Sequence, residues 1–250
     1  MEIKFKAKTQ KLPIYFTGNL YGEVENFAKI ATILRQKKKE GEEFLLFDAG
    51  DATAGNPGIE LVKGKHIAEL MGITGFTAVT LGEKDFIYGP AVLKRNLSLI
   101  KAPAVAANIY IKELEQDLQP YIILDFQGIK VGITGLVTEE VMAKLYPRSG
   151  EKTYQEIKFI PYREALLEVL KTFSAKGVEI IILLSHLGLE IDQMLACDFI
   201  KINLIISGHT GEVLKSPAKI GNTLVVTPGE KAFYLGFIEL EIETTMEIKS

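Results

Sequence analysis

Two of the three histidines in this 250-residue chain directly follow short apolar runs. Residues 180–184 lead into Ser185-His186, and residues 204–206 lead into Ser207-Gly208-His209-Thr210. Two further runs end in carboxylates: residues 44–47 in Asp48-Ala49-Gly50-Asp51, and residues 78–81 in Gly82-Glu83-Lys84-Asp85. Imidazoles and carboxylates are ordinary ligands of divalent metals, and a lysine among them offers positive charge to a phosphate oxygen. The chemistry to look for is therefore metal or phosphate binding.

Runs rich in Val, Ile, Leu and Phe without alternation predict strands buried on both faces. In open α/β sheets, ligands sit outside the carboxyl ends of such strands, which is where these polar residues fall. The pattern predicts strands at 12–16, 44–48, 76–81, 104–107, 179–185 and 204–207. It predicts helices at 25–39, 59–71, 164–176 and 190–196, with Pro90 opening another. Residues 121–126 and 129–136 read as a hairpin turning at Gln127-Gly128, and the tail is β-rich over 215–220, 223–227 and 233–243. There is no long linker, repeat or low-complexity segment, so one domain over residues 1–250 is the expectation.

Composition narrows the function classes. A formal charge of −3 argues against a nucleic-acid binder. The run Lys37-Lys38-Lys39 falls at a helix end, where cations favour the dipole. The single cysteine, Cys197, excludes an internal disulfide, and its expected role is a small buried apolar one. His66 is expected to be a solvated helix residue. The start, Met1-Glu2-Ile3-Lys4-Phe5-Lys6, has no apolar leader, and no apolar stretch reaches the ~18 residues of a bilayer span. The expectation is a soluble, cytoplasmic protein that binds neither nucleic acid nor membrane.

The order of the motifs resembles the metallophosphoesterase (calcineurin-like) superfamily, and within it the catalytic domain of the 5′-nucleotidase branch. That family reads T-N-D-x-H-G, D-x-G-D, L-G-N-H-E-F-D-Y-G, S-H and G-H-T-H. This chain reads Thr17-Gly18-Asn19-Leu20-Tyr21-Gly22, Asp48-Ala49-Gly50-Asp51, Leu81-Gly82-Glu83-Lys84-Asp85-Phe86-Ile87-Tyr88-Gly89, Ser185-His186 and Gly208-His209-Thr210-Gly211. Ala107-Asn108-Ile109, Gly128 to Gly132, and Gly229-Glu230-Lys231 before Tyr234-Leu235-Gly236 match family stretches outside the chemistry.

The resemblance implies a four-layer αββα sandwich and two metals bridged by Asp51. One centre would use Asn19, Tyr21, Asp51 and Gly211, and it departs from the family at Asn19, Tyr21 and Gly211. The other would use Asp51, Glu83, His186 and His209, with Glu83 where the family has Asn. Lys84 replaces the catalytic histidine of the family. The implied cofactor is at most one divalent ion (Zn, Mn or Fe), and the implied ligand is a small phosphorylated molecule. Each residue also has a plainer reading. His186 and His209 would be hydrogen-bonded structural histidines, Asp51 a turn residue, and Glu83 a salt-bridged carboxylate. Asn19 and Tyr21 would be remnants. Lys84 could pair with Glu83, Asp85 or Asp51 and fill the vacated centre. Two functions follow: a binding or regulatory domain with weak or lost phosphoester hydrolysis, or an active one-metal hydrolase of a small phosphorylated metabolite or nucleotide.

Overall fold

The computed structural model describes residues 8–56, 58, 61–141, 154 and 156–244. In chain order its elements begin with β1 (Lys8–Thr17), α1 (Val24–Lys39), β2 (Leu45–Asp48), α2 (Lys65–Thr74), β3 (Ala78–Val79) and α3 (Pro90–Ile100). Strands β4 (Ala104–Val105), β5 (Ile109–Ile111), β6 (Leu118–Gln119), β7 (Tyr121–Phe126), β8 (Ile129–Val137) and β9 (Ile157–Phe159) follow. The last part is α4 (Tyr162–Ala175), β10 (Ile180–His186), α5 (Leu189–Asp198), β11 (Leu204–Ser207), β12 (Ala218–Ile220), β13 (Thr223–Val226) and β14 (Gly236–Thr244).

Two six-stranded sheets form, in the orders β14-β1-β2-β3-β4-β6 and β12-β13-β11-β10-β8-β7, with β5 and β9 a separate pair. The strands that carry the polar ends, β1, β2 and β3 in one sheet and β10 and β11 in the other, run parallel to one another within each sheet, while β14 lies antiparallel on the outer side of β1. Alternation along β1 sorts its side chains. Leu12, Ile14 and Phe16 face a core shared with Val131, Ile133, Ile182, Leu184 and Ile206 of the second sheet. Tyr15 points the other way, into a core with Phe27, Leu34 and Met71 of α1 and α2. Ile181, Leu183 and Ile205 on the outer face of the second sheet pack on Leu166, Phe173 and Leu195 of α4 and α5. The layers are α, β, β, α, the fold the motif order implies.

Some expected boundaries move. The helix expected over 59–71 begins at Lys65, because Lys63 and Gly64 hold left-handed backbone (φ 48 and 77) and turn the chain; Ile59 and Glu60 lie outside the described residues. The strand expected over 76–81 is regular only at Ala78–Val79. The Thr77 hydroxyl takes one ladder position by accepting from Leu46 N. The strand expected from 233 begins at Gly236, after left-handed turns at Lys231 and Ala232. The expected hairpin turns on Gln127 (φ 53) and Gly128 (φ 89), as a two-residue reversal requires. Cys197 is exposed, contrary to the buried role expected. Helix α5 turns Asp192, Leu195 and Ala196 inward, and Cys197 follows Ala196 onto the solvent side. No helix among the described residues is long and apolar enough to cross a membrane.

The sheets approach closely at Gly135 of β8, which presents no side chain and whose carbonyl accepts from Ala107 N at 2.8 Å. A Cβ there would run into the Val105 carbonyl and the Thr80 hydroxyl. Backbone cannot yield as a side-chain tip can. Gly135→Ala should therefore lower stability by about 1–3 kcal/mol through overpacking. The check is a reduced urea midpoint with an unchanged slope.

Candidate metal and phosphate site

The loops at the carboxyl ends of β1, β2, β3, β10 and β11 converge, and they bring Asn19, Tyr21, Asp51, Glu83, Lys84, His186 and His209 together. Glu83 and Lys84 sit on a 3-10 turn (Glu83–Phe86) that follows β3 after Thr80, Leu81 and Gly82. Glu83 is at its hub. His186 Nε2 lies 3.0 Å from Glu83 Oε2, and His209 Nδ1 lies 3.3 Å from the same oxygen. Its other oxygen, Oε1, accepts from Lys84 Nζ at 2.7 Å. Burial alone would raise the Glu83 carboxyl, but the hydrogen bonds from His186, His209 and Lys84 hold it far below the usual range.

Lys84 grips Asp51 at both ends of the residue. Its backbone N–H donates to Asp51 Oδ1 at 2.7 Å, and Nζ donates to Oδ2 at 2.7 Å. The ammonium also lies 4.6 Å from the centre of the Tyr21 ring. Burial works to lower the Lys84 pKa, but Asp51 and Glu83 outweigh it and the net shift is upward. Of the partners considered from sequence, Asp51 and Glu83 take the ammonium. Asp85 instead points beneath the loops and accepts from Asp51 N, Thr53 N, Thr53 Oγ1 and Gly82 N at 2.8–3.0 Å.

One of the two histidines, His186, is oriented from behind. His186 Nδ1 donates to the Ala49 carbonyl at 2.6 Å, which leaves Nε2 facing Glu83 and, at 3.5 Å, Asp51. Burial disfavours charge on this ring, but Asp51 and Glu83 prevail and raise its pKa to about 10. His209 Nδ1 faces Glu83, and its Nε2 lies 3.7 Å from the exposed Glu140 carboxylate, beyond hydrogen-bond reach. A backbone-carbonyl partner on the far nitrogen, as His186 has, is a usual support of a metal-ligating imidazole. Glu83, His186 and His209 each offer an atom within 4.8 Å of the others, a spacing one metal ion can span.

The positions of the other centre present a different picture. Asn19 spends its amide on the fold, with Nδ2 donating to Gly229 O at 3.0 Å and Oδ1 accepting from His209 N at 3.0 Å. The Tyr21 phenol is pushed up to about 12, by burial first, with Lys84 opposing. It stays protonated near neutral pH and makes a poor ligand. Gly211 offers no side chain, and a Cβ there would come within 3.0 Å of Glu230 Oε2.

Sequence reasoning missed Ala49, Asp85 and Asp192 as supporting residues. Asp85 carried a usable signal, since an acidic residue three positions after Gly82 is placed to accept from the backbone of a turn. The other two depend on contacts between distant segments.

No protein-family model matches the chain. It is 27% identical over 255 residues to an uncharacterized metallophosphoesterase, YunD, of Bacillus subtilis, covering 94% of this chain and 51% of that protein. It is 28% identical over 231 residues to the 5′-nucleotidase of Rattus norvegicus, covering 83% of this chain and 39% of that protein. The structure of Haemophilus influenzae NAD nucleotidase superposes with a TM-score of 0.84 at 21% identity, covering 94% of this chain and 48% of that one. The chain thus spans about half the length, or less, of the relatives it matches.

Behind the histidines lies a buried carboxyl. Asp192 of α5 sits against Ser185 and Ser207, register partners at the ends of β10 and β11. Neither Asp192 oxygen has a hydrogen-bond partner with good geometry, and burial raises its pKa to about 7, with Ser185 and Ser207 opposing. The unfolded carboxyl titrates near 4. Between about pH 4 and 7 the unfolded state ionises while the folded state stays protonated, so stability falls as pH rises through that window and levels off above it. Asp192→Asn should match the parent near pH 4 and become more stable than it as pH approaches 8. The ceiling is about 4 kcal/mol for a shift of this size. Chemical denaturation at three pH values across the window checks the sign.

Proposed function

We propose that this chain, whose homologues and structural neighbours are 5′-nucleotidases and calcineurin-like metallophosphoesterases, is a diverged domain of that kind with one metal centre dismantled and at most one retained. On this reading phosphoester hydrolysis is weak or lost, and the domain acts mainly in binding or regulation of a small phosphorylated ligand.

The observation that carries the reading is the asymmetry of donor atoms. Glu83, His186 and His209 point donors at a common volume, whereas Asn19 is committed to backbone partners, Tyr21 keeps its proton and Gly211 offers nothing. Two imidazoles with Glu83 fit a single Zn²⁺, Mn²⁺ or Fe²⁺ ion, and Asp51, whose oxygens are both held by Lys84, would join them once the lysine side chain moves. Such an ion supplies Lewis acidity toward a phosphoryl oxygen, but clamping both attacking and leaving oxygens takes two. His186 and His209 would hold the ion, with the His186 ring kept in orientation by the Ala49 carbonyl. Lys84 can donate to a phosphate oxygen. Its raised pKa makes it a poor proton shuttle, so it does not replace a histidine that exchanges protons near pH 7.

A second reading, an active one-metal hydrolase, draws on the same Lys84 ammonium, which could take the place of the missing positive charge at a phosphate. Turnover separates the two. The expected result is hydrolysis of p-nitrophenyl phosphate and nucleoside monophosphates, with Zn²⁺ or Mn²⁺ added, far below that of intact relatives. Calorimetry should show one metal per chain, lost in His186→Ala and in His209→Ala. Robust turnover that disappears in Asp51→Asn would establish the hydrolase instead.

A further inference from the structure

From the geometry around Lys84 we infer that its ammonium is a resident cation that competes with the divalent ion for Asp51 and Glu83, and so sets how readily the site takes metal. The inference rests on the retained centre proposed above and concerns its regulation.

Lys84 Nζ lies 2.7 Å from Asp51 Oδ2 and 2.7 Å from Glu83 Oε1, where a cation shared by the two carboxylates would lie. Glu83 Oε2 faces the two histidines, so both oxygens of this carboxylate are engaged while the ammonium is in place. A divalent ion seated between Glu83 Oε2 and the two histidines draws on the same carboxylate that Lys84 holds through Oε1, and it gains Asp51 Oδ2 only when Lys84 gives that oxygen up. The side chain is built for the exchange. The Lys84 backbone stays tied to Asp51 Oδ1, while the side chain retains 32% of its surface in solvent. Its four-carbon stem can carry the ammonium to water without moving the turn. The inward state is held by two charge-assisted hydrogen bonds and by the Tyr21 ring, at one of the positions the resemblance assigns to the dismantled centre. Metal binding has to break those contacts, and a lysine left nearby repels the ion. Both effects lower affinity.

The test is titration of Zn²⁺ and Mn²⁺ by calorimetry into the full chain and into Lys84→Met and Lys84→Arg, each purified without added metal. Lys84→Met removes the cation and keeps the stem, and Lys84→Gln serves if circular dichroism shows the Met variant unfolded. Lys84→Arg keeps the charge. The expected result is metal binding at least tenfold tighter in the neutral variant and close to the parent in Lys84→Arg. The melting temperature of the neutral variant should also rise more on metal addition than that of the parent, because its unpaired carboxylates gain a partner. Equal affinities in all three proteins would overturn the role of Lys84 while leaving the retained centre standing. A folded neutral variant that binds nothing at millimolar metal would overturn the retained centre, and this inference with it.

Discussion

The site depends on a carboxylate that sits behind it. Asp85 gathers the backbone of Asp51, Thr53 and Gly82 onto its two oxygens and so locks the loop after β2 to the loop after β3. The connection spreads from there. Asn19 N donates to Gly50 O and Tyr21 N to Asp51 O, which zips the loop after β1 onto the loop after β2. Asn19 in turn holds His209 N and the Gly229 carbonyl, reaching the far sheet. Burial and the Asp51 charge push the Asp85 pKa up, and the hydrogen bonds from Gly82 and Thr53 pull against them. A buried acceptor left with four donors is stable only while all four stay in place, so the loops are fixed as a unit.

That unit uses backbone which most side chains avoid. Asn19 (φ 50), Tyr21 (φ 50), Asp51 (φ 57) and His209 (φ 73) are all left-handed. Asn, Asp and His tolerate this conformation better than other residues with a Cβ, whereas Tyr has no such advantage. A left-handed non-glycine residue costs roughly 1–2 kcal/mol. Tyr21 bears that cost because Tyr21 N and Gly22 N are already bonded to Asp51 O and Ala52 O. The backbone is therefore specified by hydrogen bonds that do not involve the side chain at 21. This explains how the motif's shape can persist while its donor chemistry changes.

The same distinction decides what could be read from the sequence. Periodicity located the strands that end at the site, because burial on both faces leaves a continuous apolar run. It misplaced the start of α2, where Lys63 and Gly64 break a pattern that still looks helical in its apolar positions. It did not find β5 and β9, which are three residues each and too short to show a period. The side chains that converge on Glu83 were legible from motif order. Their supports were not, because Ala49 acts through its carbonyl and Asp192 acts across segments far apart in the chain. Asn19 was legible as a departure from the family pattern. Its structural work through Gly229 and His209 could be seen only once the two sheets were in place.

Glu83 and Lys84 are best understood as a pair. Against the Asn-His dipeptide of the resembled pattern, position 83 adds a negative charge and position 84 a positive one. A buried carboxylate without a partner costs several kcal/mol, and an ammonium placed among histidines without a carboxylate would be repelled. Together the changes conserve formal charge. The structure joins them directly, through the 2.7 Å contact between Lys84 Nζ and Glu83 Oε1. Asp51, already present, provides the second acceptor, so the ammonium meets two carboxylates while His186 Nε2 faces the same pair. An ammonium matched to carboxylates inside the pocket stabilises the loops and contributes less long-range pull on an anion. The exchange of outward attraction for internal balance fits a site whose loop geometry persists while its donor chemistry differs from the resembled pattern.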